Sequence, residues 1–316
     1  MVHGEKGMLL LWVILAVFVV WSWLTYPSIG QVLFDLSMAV ETRLSRLHKI
    51  TVPISEMTVS TLQGGPYEAS GCILMLHGYS ADKNLWLRFA RPFVRDYRVL
   101  IPDLPGHGET GFKAGGRYDI PTQARRVIEL LDACGLDKVH VIGNSMGGYL
   151  AAWLAATSPE RVLTLALLNP AGVTSPQPSD MERQVAAGRN PSLMRSRSDF
   201  PPFYAMTMDS PPWVPKVVLA AVADKYVRCR EELAEIYADF NASPPMEPRL
   251  VDIQAPSLLL WGHQDRMIDV SCVPVWSKGI ADLRVEIWDG LGHLPPIEKP
   301  ERTAALYRGF LKGLGQ

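Results

Sequence analysis

Gly143-Asn144-Ser145-Met146-Gly147 carries the plainest chemical signal in the chain, a Gly-x-Ser-x-Gly run. It follows an apolar stretch at 139–142 and precedes an apolar helical pattern with Tyr149, Leu150, Trp153 and Leu154. A sharp strand-to-helix turn of this kind pushes a serine hydroxyl out from the backbone. Gly143 and Gly147 leave room where a Cβ would clash. The first amides of the following helix, at 146–148, offer unpaired N–H groups to a developing oxyanion. Ser145 is the candidate nucleophile, and a glycine-rich structural turn is the competing reading.

A serine hydroxyl attacks poorly without a base. Seven histidines are present. His3 and His48 lie in the N-terminal fifty residues, and His140 sits inside a strand-like run. His77 and His107 fall in loops before the serine, and His263 precedes the expected acid. With the chain order serine, acid, histidine, His293 remains, in the loop Asp289-Gly290-Leu291-Gly292-His293. The acid should follow a strand between the two. Asp265 fits, just beyond the apolar run at 257–261, and would fix the imidazole tautomer. Asp269 and Asp289 are rivals, the first placed to cap a helix and the second to lead a turn.

A second oxyanion donor is expected from the loop His77-Gly78-Tyr79, so the backbone amides of Tyr79 and Met146 form the expected pair. His77 reads as a residue that orients this loop. His77 and Asp82 also make a His-x4-Asp string of the acyltransferase kind. Asp103-Leu104-Pro105-Gly106-His107-Gly108 lacks the GxxxxGK[ST] spacing of a phosphate cradle and reads as a structural turn.

These residues need a scaffold. Apolar runs at 72–76, 98–101, 139–142, 163–168, 257–261 and 285–288 alternate with helical patterns at 122–134, 147–157, 270–278 and 300–314. That alternation predicts a mostly parallel sheet with helices on both faces. Residues 53–59 add a possible extra strand. Twelve of the 25 prolines fall between Pro170 and Pro248, around helical fragments at 180–187, 216–226 and 230–240. The division expected is a core at 52–172 and 248–316 with an inserted helical cap at 173–247. In the cap, Phe203, Tyr204, Met206 and Trp213, with Phe200 and Met208, are candidates for lining an adaptable apolar site, against ordinary packing.

The N-terminus has a different character. No charged residue occurs from Gly7 to Phe34. About 20 apolar residues in a helix span a bilayer core, so residues 8–27 predict a transmembrane helix, with Trp21, Trp23 and Tyr26 as an aromatic belt. A cleaved signal peptide would have a shorter apolar core and a small-residue cleavage site. Leu33, Leu36, Val40, Leu44, Leu47 and Ile50 recur at steps of three or four, predicting an amphipathic juxtamembrane helix over 28–51, interfacial or packed on the domain. Lys6 before the span and Arg43, Arg46 and Lys49 after it favour a cytoplasmic domain.

Composition sets outer limits. The 31 Lys and Arg against 32 Asp and Glu give a net charge of −1, which removes the attraction a nucleic-acid binder needs. With 48% hydrophobic and 20% charged residues, wholesale disorder is excluded. The four cysteines, 72, 134, 229 and 272, make neither a CxxC pair nor a zinc cluster and read as buried thiols.

Taken together, His77-Gly78, Asp103-x-x-Gly106-x-Gly108, Gly143-Asn144-Ser145-Met146-Gly147-Gly148, Gly262-x-x-Asp265 and Gly292-His293 resemble the α/β-hydrolase family over roughly residues 52–316. With its apolar N-terminus the chain resembles membrane-anchored monoacylglycerol lipases, and still more the bacterial membrane-anchored phospholipase A group. The resemblance implies hydrolysis of acyl esters in lysophospholipids, phospholipids or acylglycerols through a Ser145–His293–Asp265 triad, with no metal or organic cofactor. It implies lipid and bilayer as partners, dimerisation through the anchor, and a bacterial inner-membrane protein facing the periplasm. That sidedness opposes the charge count. Gly143-Asn144 before the serine is also similar to soluble carbon–carbon bond hydrolases of aromatic degradation. A non-catalytic membrane interaction protein on a hydrolase scaffold is the third reading.

Overall fold

The computed structural model describes residues 2–25, 28–67, 69 and 71–315. Two helices open the chain, α1 (Val2–Thr25) and α2 (Ser28–Leu44). One eight-stranded sheet follows: β1 (Leu47–Pro53), β2 (Thr58–Gly64), β3 (Cys72–Leu76), β4 (Arg98–Pro102), β5 (Val139–Asn144), β6 (Val162–Leu168), β7 (Ser257–Gly262) and β8 (Leu283–Trp288). Their order across the sheet is β1-β2-β4-β3-β5-β6-β7-β8. β3 to β8 pair in parallel, while β1 with β2 and β2 with β4 pair antiparallel.

The central strands are apolar throughout because both faces of the sheet are covered. Leu74 and Leu76 face a core shared with α4 (Ile120–Ala133) and α5 (Met146–Thr157), while Ile73 and Met75 face Phe89, Phe93 and Tyr307 on the other side. Asp119 caps α4, accepting from Thr122 N at 2.9 Å. Phe89 belongs to the short α3 (Leu87–Ala90).

Between β6 and β7 lie α6 (Asp180–Ala186), α7 (Phe200–Thr207), α8 (Lys216–Arg228) and α9 (Arg230–Asn241). Met194, Phe200, Phe203 and Ala223 form the small core of this inserted layer. The chain ends with α10 (Val273–Gly279), α11 (Pro295–Glu298) and α12 (Pro300–Gly313). α7 escapes a reading of the sequence in which proline ends helices. Its prolines, Pro201 and Pro202, sit in the first turn, where a missing N–H costs nothing.

The helix expected over 28–51 needs correction. α2 stops at Leu44, and Leu47 and Ile50 belong to β1, where they pair with Gly64 and Thr61 of β2. The spacing of three suits a helix, yet Ile50, Thr51 and Val52 are β-branched and the free edge of β2 takes them up. α2 lies against α8: a Cβ on Gly30 would come within 2.0 Å of the Val217 carbonyl oxygen. Ser45 then fastens the turn after α2, donating to Leu87 O at 2.7 Å. The predicted apolar stripe turns outward, with Leu36 59% and Leu44 62% exposed.

α1 is a single helix whose described apolar side chains, such as Leu11, Val17 and Val20, stand exposed. Among the described residues no helix is long and apolar enough to cross a membrane. Leu9 and Trp23 have side chains outside that description, and Tyr26 lies outside it entirely.

Candidate active site

β5 delivers the chain to Ser145, which stands at φ 56° and ψ −122° between Asn144 and the first residue of α5. Three glycines make this turn possible. A Cβ on Gly143 would lie 2.1 Å from Gly147 O, one on Gly147 2.2 Å from Leu76 O, and one on Gly148 2.8 Å from Pro170 Cβ. A left-handed backbone at a non-glycine residue costs about 1–3 kcal/mol and persists only where its surroundings enforce it. Here the enforcement is visible. Ser145 N donates to Leu168 O at 3.1 Å, and Ser145 O accepts from Tyr149 and Ala171 at 3.0 and 3.1 Å. Asn144 and Met146 are buried on either side, while Ser145 faces a cavity.

Asp265 and His293 meet as expected. His293 Nδ1 lies 2.7 Å from Asp265 Oδ2, and both residues are buried. A carboxylate only accepts, so the bond puts the ring proton on Nδ1 and leaves Nε2 free to act as a base. Asp265 is held in turn. Its Oδ1 accepts from Met267 N at 2.8 Å and Ile268 N at 3.0 Å, and Oδ2 also accepts from Asn169 Nδ2 at 2.6 Å. The rivals stand apart: Asp269 caps the short turn after it through Ser271 N at 2.9 Å, and Asp289 pairs with exposed His263 at 2.6 Å.

The histidine loop is tied down from three sides. Asn144 Nδ2 donates to His293 O at 3.0 Å, and His293 N donates to Thr207 O at 3.1 Å. Buried Glu298 accepts from Gly292 N at 3.0 Å and, with Oε2, from Asp209 N at 2.8 Å and Ser210 N at 3.0 Å. Asn169 and Glu298 were not legible as site residues. Asn169 gives one signal, an Asn-Pro step closing a strand, where it sits at φ 45°.

The loop after β3 passes directly over the serine. A Cβ on Gly78 would lie 3.0 Å from Ser145 Cβ. His77 shapes this loop. Its Nε2 accepts from Leu104 N at 2.9 Å, so Nδ1–H donates to Gly78 O at 2.8 Å. Burial pushes the His77 pKa down to about 4, keeping the ring neutral. Tyr79 follows on the cavity wall, its hydroxyl donating to Leu233 O at 2.7 Å. Asp82, the other half of the His-x4-Asp string, caps the next turn through Asn84 N at 3.0 Å and pairs with Lys225 at 3.0 Å. Asp103 is structural: it accepts from the amides of Lys83 and Glu109, both at 2.8 Å, and is ion-paired to the Lys83 ammonium.

A sequence model of the alpha/beta hydrolase fold matches residues 71–300. The chain belongs to the α/β-hydrolase family. Lipase 1 of Psychrobacter immobilis is 31% identical over 272 residues, covering 83% of this chain and 85% of the relative. A monoacylglycerol lipase of Xenopus laevis is 29% identical over 254 residues, covering 77% and 75%. A crystal structure described as a membrane phospholipase A, a bacterial virulence factor, aligns with a TM-score of 0.89 at 35% identity, covering 98% of this chain and 99% of that one.

In this α/β hydrolase the cavity beside Ser145 and His293 measures about 1430 Å³. Phe203, Tyr204 and Trp213 line it, with Phe200 and Met208 beside them. Trp213 is 87% exposed and stands at its rim. Met206 is a correction. It is buried and is not among the residues lining the cavity, and its sulfur instead meets Gln184 Nε2 at 3.2 Å, to one side of the lining positions 200, 203, 204 and 207. Tyr226, Val222 and Leu233 also line the hydrolase cavity and were not singled out from sequence. At its far end the cavity runs along α2, at Phe34 and Met38.

Proposed function

We propose that this hydrolase cleaves acyl esters of lipids (lysophospholipid, phospholipid or monoacylglycerol) through an acyl-enzyme on Ser145. The observation that carries the reading is the 2.7 Å Asp265–His293 bond, beside a largely apolar cavity that His293 and Ser145 share. In the first half-reaction His293 Nε2 takes the Ser145 proton as the oxygen attacks the ester carbonyl. Asp265 stabilises the imidazolium. The amides of Tyr79 and Met146 receive the oxyanion. The imidazolium protonates the departing alcohol, and an acyl-serine remains. His293 then activates water, which releases the fatty acid and restores the serine. The proton taken from Ser145 leaves with the alcohol, one water proton returns through His293 to Ser145, and the other stays with the fatty acid. The acyl chain lies along Phe203, Tyr204 and Trp213, in the cap we assign to 173–247.

We place the protein at a membrane, anchored by the helix expected over 8–27. The exposed apolar side chains of α1 and the outward stripe Leu33, Leu36, Val40 and Leu44 support this, since a surface of that size is unfavourable in water. The same helices are the proposed dimer contact. On the family resemblance the domain faces the periplasm, and protease accessibility in spheroplasts decides the side.

The test is a substrate panel with detergent-solubilised full-length protein: lysophospholipid, diacyl phospholipid, monoacylglycerol and a short-chain ester. Hydrolysis that disappears in Ser145→Ala, with the melting temperature kept, is expected. Turnover of a vinylogous diketone acid instead would move the reading to carbon–carbon hydrolysis. Failure of a fluorophosphonate to label Ser145 would remove catalysis altogether.

A further inference from the structure

A second cavity lies where α2 ends. It measures about 360 Å³, and Leu44, Arg46, Arg91, Arg95, Asp96 and Arg308 line it. Of these only Arg46 also borders the cavity of Ser145. Three segments distant in sequence supply the four arginines: the turn after α2, the turns between α3 and β4, and α12. Their charge is only partly balanced. Arg91 pairs with Glu41 and donates to Ser45 Oγ at 3.2 Å, but Glu41 is shared with Arg88 at 3.0 Å. Arg308 pairs with Asp96. Among the described residues no carboxylate is paired with Arg46 or Arg95. Arg46 also holds the left-handed position just after α2, at φ 53°, where glycine or asparagine is usual. The whole chain has a net charge of −1, so this excess of cations is local.

Guanidinium groups pair with phosphate oxygens through parallel N–H donors. A second observation selects what carries the phosphate. Leu44 lines the cavity and also ends the outward stripe Leu33, Leu36, Val40 and Leu44 of α2, each at least 42% exposed. A ligand here meets cations at one end and a row of apolar side chains beside them. A zwitterionic headgroup brings its own ammonium to this cationic wall, whereas an anionic one does not. We propose that the arginine cavity holds the phosphate of an anionic phospholipid, bound as a membrane partner and not as a substrate, with its acyl chains along the stripe of α2. The inference rests on the membrane placement proposed above and is independent of the ester chemistry at Ser145.

The experiment uses the full-length chain carrying Ser145→Ala, so that no added lipid is consumed, in dodecyl maltoside micelles. Phosphatidylglycerol should raise the melting temperature by about 2–4 °C more than phosphatidylcholine with the same acyl chains. Arg95→Glu, at an exposed position, should abolish that difference, as should Arg95→Gln combined with Arg308→Gln. Arg189→Glu, the same charge change at an exposed position of the inserted layer, should keep it. Inorganic phosphate at the same concentration should give no such shift. The proposal is overturned by an equal response to both lipids, by a difference that survives in the Arg95 variants or is lost equally in Arg189→Glu, or by a full shift from inorganic phosphate alone. Failure of the wild-type chain to float with phosphatidylcholine vesicles overturns the membrane placement itself, and this inference with it.

Discussion

Asn144, which precedes the candidate nucleophile, donates from Nδ2 to the carbonyl oxygen of His293 at 3.0 Å across 149 positions of sequence. The same amide reaches Leu168 O at 3.0 Å. One side chain thereby ties the turn that presents Ser145 to the loop that carries His293. Replacing Asn144 with Ala takes this donor from the buried His293 carbonyl, while Leu168 O keeps the Ser145 amide, a destabilisation of about 1–3 kcal/mol. It should lower kcat about tenfold or more, because the near-attack geometry loosens. Steady-state kinetics and a thermal melt check both.

Asp265→Asn separates the charge of the acid from its shape. An amide oxygen can still accept from Met267 and Ile268. The imidazole, however, loses the acceptor that fixes its tautomer. If the proposed triad operates as serine triads do, kcat at neutral pH should fall by about 10⁴ with the fold retained. A fall of less than tenfold would show that His293 does not rely on this carboxylate.

Stability should be sensitive to mild acid. Burial lowers the pKa of His77 and His140 to about 4 and that of His107 to about 3. Histidine in the unfolded chain titrates near 6.5. Between these values the unfolded chain binds more protons, so stability rises with pH there. The melting temperature should be level above about pH 6.5 and drop as the pH falls toward 4. A second loss follows at lower pH, since hydrogen bonds from Arg126 and Arg125 hold Glu56 at about 2. A curve that stays flat from pH 6.5 to 4 would refute the neutral buried histidines.

Two glycine substitutions should move stability in opposite directions. Gly147→Ala forces a Cβ to 2.2 Å from Leu76 O and 2.5 Å from His77 O, both backbone atoms that cannot swing aside. A loss above about 3 kcal/mol, or no folded protein, is expected. Gly309 lies exposed inside α12 with nothing within 4 Å of a Cβ. Gly309→Ala should stabilise by about 0.5–1 kcal/mol. Denaturant titration of the pair reads both.

The sequence made some parts of this molecule easier to read than others. The central strands were legible because burial on both faces leaves unbroken apolar runs such as 72–76 and 257–262. The turn at Ser145 and the pairing of Asp265 with His293 were legible because strand ends and glycine turns confine where such residues can sit. β1 was not, since Leu47 and Ile50 satisfy a helical period as well as an edge strand, and only the partner β2 decides. Met206 was misread for a related reason: composition marks α7 as apolar, but only its packing tells which side faces the cavity. Asn169 acts on the Asp265 carboxylate and Glu298 on the amides of Asp209 and Ser210, partners distant in sequence that no local pattern records.

Glu298 gathers amides from both the histidine loop and the stretch Asp209–Ser210, which leads out of α7. The stretch that follows α7 over the cavity and the loop that carries His293 thus share one anchor. Grafting a foreign roof onto this scaffold would detune the chemistry as well as the selectivity, unless the graft carries its own turn to satisfy that carboxylate.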